Sequence, residues 1–270
     1  RNYTRKFTTM VLGTAEVADP EGKFLSTLEA TAFKQAKALA DAGEYKDAAD
    51  SFLAFLEEFP ESEHKIYALY NAAHYLQEIG KAERANQLFE QFVNLYPDHE
   101  WSKQLYFRIA VNYESTFDLD KAVDYYERLV DKFPDYVDAP NAMYNAAFLK
   151  IGLGDHAGAA RGFETYAKKF PEQSDKEKVN YRAGGQWEEV GDRQAMKFYK
   201  TYLREYGDEN PEHMIEAMYA IAEIYERQNN KRAYERQMED ILKAFDEQVA
   251  KGADLGPNAR HYAAKQAFKA

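Results

Sequence analysis

The chain has no cysteine in 270 residues. That excludes disulfides, thiolate zinc sites and a cysteine nucleophile; it also fits an exported protein that avoids stray thiols. Glycine (14) and proline (8) are scarce, and nearly all the prolines fall at regular places. No purely apolar run exceeds a few residues, so the sequence contains no transmembrane helix. Positive charge is in deficit: 35 Lys and Arg face 46 Asp and Glu, a net charge of −11 with a pI near 5.2. A phosphate backbone would be repelled at long range, which argues against nucleic acid as a partner. An acidic surface suits a basic partner, or is simply a solvated shell.

Catalytic patterns are also missing. No Gly-rich phosphate loop and no nucleophile elbow occurs. His64, His74, His99, His156, His213 and His261 are scattered, and no two stand four apart, so no metal site is expected. Carboxylate pairs such as Glu57-Glu58 and Glu188-Glu189 read as solvated helix faces, because acid–base work needs burial to separate their pKa values. No cofactor is expected. What the chain does have is 45% hydrophobic residues, with 21 Tyr and 17 Phe, enough for a sizeable core. It starts at Arg1, not Met, and reaches Ala270 within a helical pattern, so a processed or trimmed piece of a longer protein is expected.

The regular prolines expose an internal repeat. Phe59-Pro60, Tyr96-Pro97, Phe133-Pro134 and Phe170-Pro171 stand 37 residues apart, and Tyr206-Gly207 follows after 36. Small residues keep the step at Ala36, Ala73, Ala110, Ala147 and Gly184, and again at Ala48, Ala85, Ala122 and Ala159, continued by Ala195 after a one-residue deletion. Aromatics keep it at Phe52, Phe89, Tyr126 and Phe163, continued by Tyr199 after the same deletion. Turn glycines do so at Gly43, Gly80, Gly154 and Gly191, with Phe117-Asp118 in the third copy.

Each unit reads as two helices. In the second copy these are 64–79, stopped by Gly80, and 82–95, stopped before Pro97. Leu69, Tyr70, Ala73 and Leu76 share one face of the first helix; Ala85, Leu88, Phe89 and Phe92 share one face of the second. The alanines let two backbones approach, and the aromatic fills the space beside them. One hairpin cannot bury both its faces, so neighbours must stack.

The spacing Ala73–Ala85–Phe89–Pro97 resembles the tetratricopeptide repeat, lengthened from its usual 34 residues by three in the loop after each proline. The early Trp and Leu of that family are only loosely matched. Its second small residue in the second helix is bulky here, at Phe55, Phe92, Leu129, Tyr166 and Tyr202. The resemblance implies an all-α, right-handed α-solenoid of antiparallel helix pairs. About six repeats occupy residues 25–247, the sixth pairing 214–227 with 231–247 around Asn229-Asn230. Residues 1–24 are a non-repeat segment, in which Thr8–Leu12 is a short strand or an extended arm and 19–22 a turn. Residues 248–270 are a linker and an amphipathic helix from about Asn258, either a cap or the first half of a lost repeat.

In this family the first helices line a concave protein-binding groove. Carried over by position, the groove would present Tyr67, Tyr70 and His74 from the second repeat, Gln104, Phe107 and Val111 from the third, and Asn141, Tyr144 and Phe148 from the fourth. Lys178, Tyr181 and Glu188 follow from the fifth, and Tyr219 and Glu223 from the sixth. Phe33, Tyr70, Phe107, Tyr144, Tyr181 and Tyr219 would form an aromatic ladder, holding a peptide or packing between neighbouring first helices. Arg108 and Arg182 are expected to pair with neighbouring acids. The groove turns acidic toward the C-terminal half, which steers a basic peptide. A subgroup of the family clamps acidic chaperone tails with Lys and Asn. Only Asn71 and Asn145 match here and acids replace the Lys, which argues against that function.

The Phe59-Pro60-Glu61-Ser62 join followed by Tyr67-Ala68 is similar to bacterial envelope repeat proteins, the periplasmic coordinator of the Tol–Pal system and the lipoprotein of the β-barrel assembly machine. That resemblance implies a non-enzymatic interaction scaffold in a cell-envelope complex, periplasmic and outer-membrane associated. Two alternatives stay open: a cytoplasmic adaptor, and the interaction region of a larger protein whose activity lies elsewhere.

Overall fold

The computed structural model describes residues 23–267, so the 8–12 segment and the 19–22 turn lie outside the described residues. Thirteen helices and no strand occur among the described residues. They are α1 (Lys23–Asp41), α2 (Tyr45–Glu58), α3 (Lys65–Glu78), α4 (Ala82–Leu95), α5 (Glu100–Ser115), α6 (Leu119–Lys132) and α7 (Ala139–Gly152). Then come α8 (His156–Lys169), α9 (Lys176–Val190), α10 (Asp192–Tyr206), α11 (Pro211–Arg227), α12 (Lys231–Ala250) and α13 (Pro257–Ala267). Two compact units divide after Asp118: the first holds α1 to α5, the second α6 to α13. Within each, every helix packs on its neighbours in sequence, the all-α hairpin arrangement of an α-solenoid.

The sequence fixes the helix faces by spacing. In α6, Ala122, Val123, Tyr126, Leu129 and Val130 are buried and return every three or four residues, while Asp124, Glu127 and Asp131 face water. Helix starts are capped by short polar side chains. Asp155 Oδ1 accepts from Gly158 N at 2.8 Å, Asn210 Oδ1 from the amides of Glu212 and His213, and Asn230 from Ala233 N.

The turn inside each hairpin is built one way. The Gly80 amide donates to Gln77 O and the Lys81 amide to Leu76 O, the double bond that closes a helix on a left-handed residue. Gly43, Gly154 and Asn229 sit in the same double bond, and all have positive φ. In the third copy Phe117 takes that place, with φ 60 and its side chain 86% exposed. The Gly191 turn is a residue shorter and uses φ 142, open to glycine alone; that is the one-residue deletion in the fifth copy.

The joins between repeats are equally regular. The amide of Phe59 closes the last bond of its helix, and its carbonyl then accepts from Ser62 N, a turn with proline at its second position. The Tyr96, Phe133 and Phe170 joins repeat both bonds. At the fifth join α10 runs through Tyr206, whose carbonyl keeps the turn to Glu209 N, and a Cβ on Gly207 would meet the Leu203 carbonyl.

Both small-residue series are buried throughout, Ala36 to Gly184 and Ala48 to Ala195. Beside them Phe52, Phe89, Tyr126, Phe163 and Tyr199 are at most 4% exposed, each worth roughly 2–3 kcal/mol of burial. A Cβ on Gly184 would lie 2.6 Å from the Tyr199 ring, so the fifth copy narrows from Ala to Gly. At the end of the second unit α13 packs on both α11 and α12, where Leu255 and Ala259 join a core of Ile215, Tyr219, Tyr234, Met238 and Ile241.

A second register was not read from the sequence. Tyr113, Lys150 and Trp187, 37 apart on first helices, donate to Glu90, Glu127 and Glu164 on the second helices of the preceding repeats. The Glu series keeps the step, but three donor types hide its partners.

Candidate interaction face

The first helices carry the residues singled out as a groove, and each unit shows what becomes of them. In the first unit, Phe33 lies across Phe52 and Phe55 at 5.5 Å and stacks on His64 of the next repeat at 4.8 Å. Tyr70 does the same with Phe89 and Phe92 behind it and Trp101 ahead at 4.7 Å. Phe107 is half-buried.

In the second unit Tyr144 rests on Phe163 at 5.8 Å, and Tyr181 lies between Tyr202 and His213. Tyr219 is only 6% exposed, sealed by Tyr262 at 3.9 Å and by a hydrogen bond from Lys265. Phe33, Tyr70, Tyr181 and Tyr219 therefore pack against a ring ahead of them, and Tyr144 against Phe163 of its own hairpin. Tyr219 offers almost no surface to a partner, and the half-buried rings offer their edges. The ring partners His64 and Trp101 come 31 residues after their rings and His213 comes 32 after. Asp138 and Asp175 fill the corresponding places in other copies, so no common residue type marks that position in the sequence.

The exposed apolar groups on this face flank the ladder. Tyr67 is 47% exposed and touches Trp101 edge-on at 5.6 Å; Val111 is 41% and Phe148 52% exposed. Gln104, Asn141, Lys178 and Glu188 are exposed, and Glu223 is half-buried. A depression of 440 Å³ opens in the first unit between α1 and α3, lined by Phe33, Lys37, His64, Tyr67, Asn71 and Tyr75.

Among the described residues the two arginines pair with no acid, contrary to expectation. Arg108 lies over the Phe89 ring at 5.3 Å and approaches His74 Nδ1 at 3.3 Å. Burial lowers the His74 pKa, and the guanidinium lowers it further against the opposing pull of Glu78, so a neutral ring can accept from Arg108. Arg182 lies over Tyr144 at 5.6 Å. Both guanidiniums stack on rings that packing had already fixed.

In the second unit, carboxylates collect the tyrosine hydroxyls. Tyr199 donates to Glu188 at 2.7 Å and Tyr181 to Glu216 at 3.1 Å. Tyr202 donates to Glu177, which is 7% exposed, and His213 Nδ1 lies 2.7 Å from the same carboxylate. Asn210 Nδ2 reaches the second oxygen of Glu177 at 3.3 Å. Burial first, then these carboxylates, push the phenols of Tyr181, Tyr199 and Tyr202 above the ordinary value. The network ties α9 to α10 and α11. It was missed because Glu177 sits beside Lys178 in a run of charges that reads as surface. Among the described residues no three His, Asp or Glu side chains are grouped to hold a metal ion, and no helix is long and apolar enough to cross a membrane.

Comparison with known proteins places this architecture. The tetratricopeptide repeat matches residues 30–62, 67–99, 104–136 and 141–172. Among solved structures, a chain of Naa15/Naa10 bound to HypK-THB is similar over 89% of this chain and 34% of its own, with 17% identity and a TM-score of 0.54. A tetratricopeptide repeat protein from Parabacteroides merdae is 13% identical over 89% of this chain and 91% of its own, with a TM-score of 0.46. MamA protein is 16% identical over 66% of this chain and 92% of its own, at 0.45. No curated protein matches the chain. Residues 30–172 thus carry four tetratricopeptide repeats, and the same hairpin geometry continues beyond them.

Proposed function

We propose that this chain is a non-enzymatic scaffold that holds a segment of another protein on the face of its first helices. The observation that carries this is the exposure of Tyr67, Val111 and Phe148 there. Large apolar side chains left in water on the first helices, Tyr67 and Val111 in the first unit and Phe148 in the second, beside rings fixed by packing, make contact surfaces that lose little entropy on binding. Capture from cell extract tests it, comparing wild type with a Tyr67→Ala/Val111→Ala/Phe148→Ala variant of unchanged melting temperature. Loss of a discrete captured protein supports the face; equal capture overturns it.

The setting we read is the bacterial cell envelope, periplasmic and associated with the outer membrane. What supports it is the Phe59-Pro60-Glu61-Ser62 join followed by Tyr67-Ala68. Fractionation of the native full-length protein tests it, and recovery with the cytoplasm would favour the adaptor alternative.

A further inference from the structure

One register position of the first helices holds His74, Val111, Phe148 and then Gly185, each 37 residues after the last. Where Val111 and Phe148 project an apolar side chain into water, the next copy has none. Gly185 lies inside α9, where glycine costs roughly 0.5–1 kcal/mol relative to alanine, and a Cβ there would meet nothing within 4 Å. Packing explains its neighbour Gly184, which the Tyr199 ring forbids a side chain, but leaves Gly185 unexplained. The gap opens a depression of 340 Å³ walled by Ile151, Phe163, Tyr181, Arg182 and Tyr199.

Arg182 is a charged wall of this depression, and carboxylates stand behind its tyrosine walls. Its two tyrosine walls hand their hydroxyls to Glu188 and Glu216. Glu223 lies near enough to act on the Tyr199 phenol and has no hydrogen-bond or ion-pair partner among the described residues. Of the nearby cations, Arg227 pairs with Asp192 at 2.9 Å and also lies close enough to Glu188 and Glu223 to feel their charge, and Lys265 donates to Tyr219. Arg182 lies over Tyr144 of α7.

We propose that this face of the second unit takes a basic peptide segment, one apolar side chain entering the depression at Gly185 and cationic side chains lying along Glu188, Glu216 and Glu223. The proposal rests on the scaffold reading above and names the chemistry of its partner. An acidic segment would meet three carboxylates and is refused.

The test uses three short synthetic peptides with the same leucine positions and Arg, Gln or Glu elsewhere, followed by fluorescence anisotropy. The Arg peptide binds about tenfold tighter than the Gln peptide, the Glu peptide does not bind, and salt narrows the difference. Glu188→Gln/Glu223→Gln weakens the Arg peptide about tenfold and leaves the Gln peptide unchanged. Gly185→Leu, which fills the depression and favours the helix, weakens both. Equal binding of the Arg and Gln peptides, or indifference to either variant, overturns the proposal. If the peptides fail while the Tyr67, Val111 and Phe148 face still captures a protein, the basic-segment assignment falls and the scaffold reading stands. If both fail, the scaffold reading falls as well.

Discussion

The ring of Tyr181 lies flat on that of His213, with centroids 4.1 Å apart and planes 7° from parallel. The two belong to first helices of successive repeats, so a ring expected either to hold a peptide or to pack between neighbours packs on the next repeat. Tyr181→Ala, truncating a half-buried ring, should destabilise the protein by about 2–3 kcal/mol. Phe148→Ala, from a ring 52% exposed on the same face, should cost under about 1 kcal/mol. Urea unfolding of the two variants checks the contrast; similar losses would mean the ladder is not packing.

Phe117 occupies a left-handed position that glycine fills in three other turns. Its side chain is in water, so replacing it loses no packing. Phe117→Gly should raise stability by about 1 kcal/mol, the backbone strain removed less the entropy gained by the unfolded chain. Gly80→Ala, the reverse exchange at φ 74, should lower it by about 1 kcal/mol. Denaturation midpoints with an unchanged slope would confirm both.

Gly207 stands where four earlier repeats have proline, which invites the consensus exchange. The structure predicts the opposite of a gain. The fifth join runs one helical residue longer, and a side chain at 207 meets the Leu203 carbonyl. Gly207→Pro should cost about 1–3 kcal/mol, the range for overpacking, read from the shift in melting temperature.

Tyr181, Tyr199 and Tyr202 bind their protons more tightly folded than unfolded. Their stabilisation is fully present below the unfolded tyrosine pKa near 10 and is lost as pH rises above it, because the unfolded chain then holds fewer protons. Stability measured from pH 8 upward should fall beyond about pH 10, and a Tyr181→Phe/Tyr199→Phe/Tyr202→Phe variant should fall less steeply.

Much of this fold was legible because repetition multiplies weak signals. Ala73, Ala85, Phe89 and Pro97 mean little once, but at a common step they define two helices, their shared seam and their join. The candidate face was legible only by position. Spacing shows that Tyr70 and Tyr219 point from first helices toward a neighbour, but whether that neighbour covers them depends on residues such as Trp101 and Tyr262, whose types differ between copies. Glu177 was hidden for a related reason. Its burial is decided by Tyr202, His213 and Asn210, which lie 25, 36 and 33 residues away and follow no common step. The arginines Arg108 and Arg182 went to rings, because those rings were already held in place one repeat earlier.

The central claim, that partners are held on the first-helix face, is tested most directly by site-specific photo-crosslinking in native extract. A benzophenone side chain placed at Phe148 should yield a discrete crosslinked protein, and the same group at exposed Arg161 of α8 should not. The same products from both positions, or products from Arg161 alone, would contradict the account.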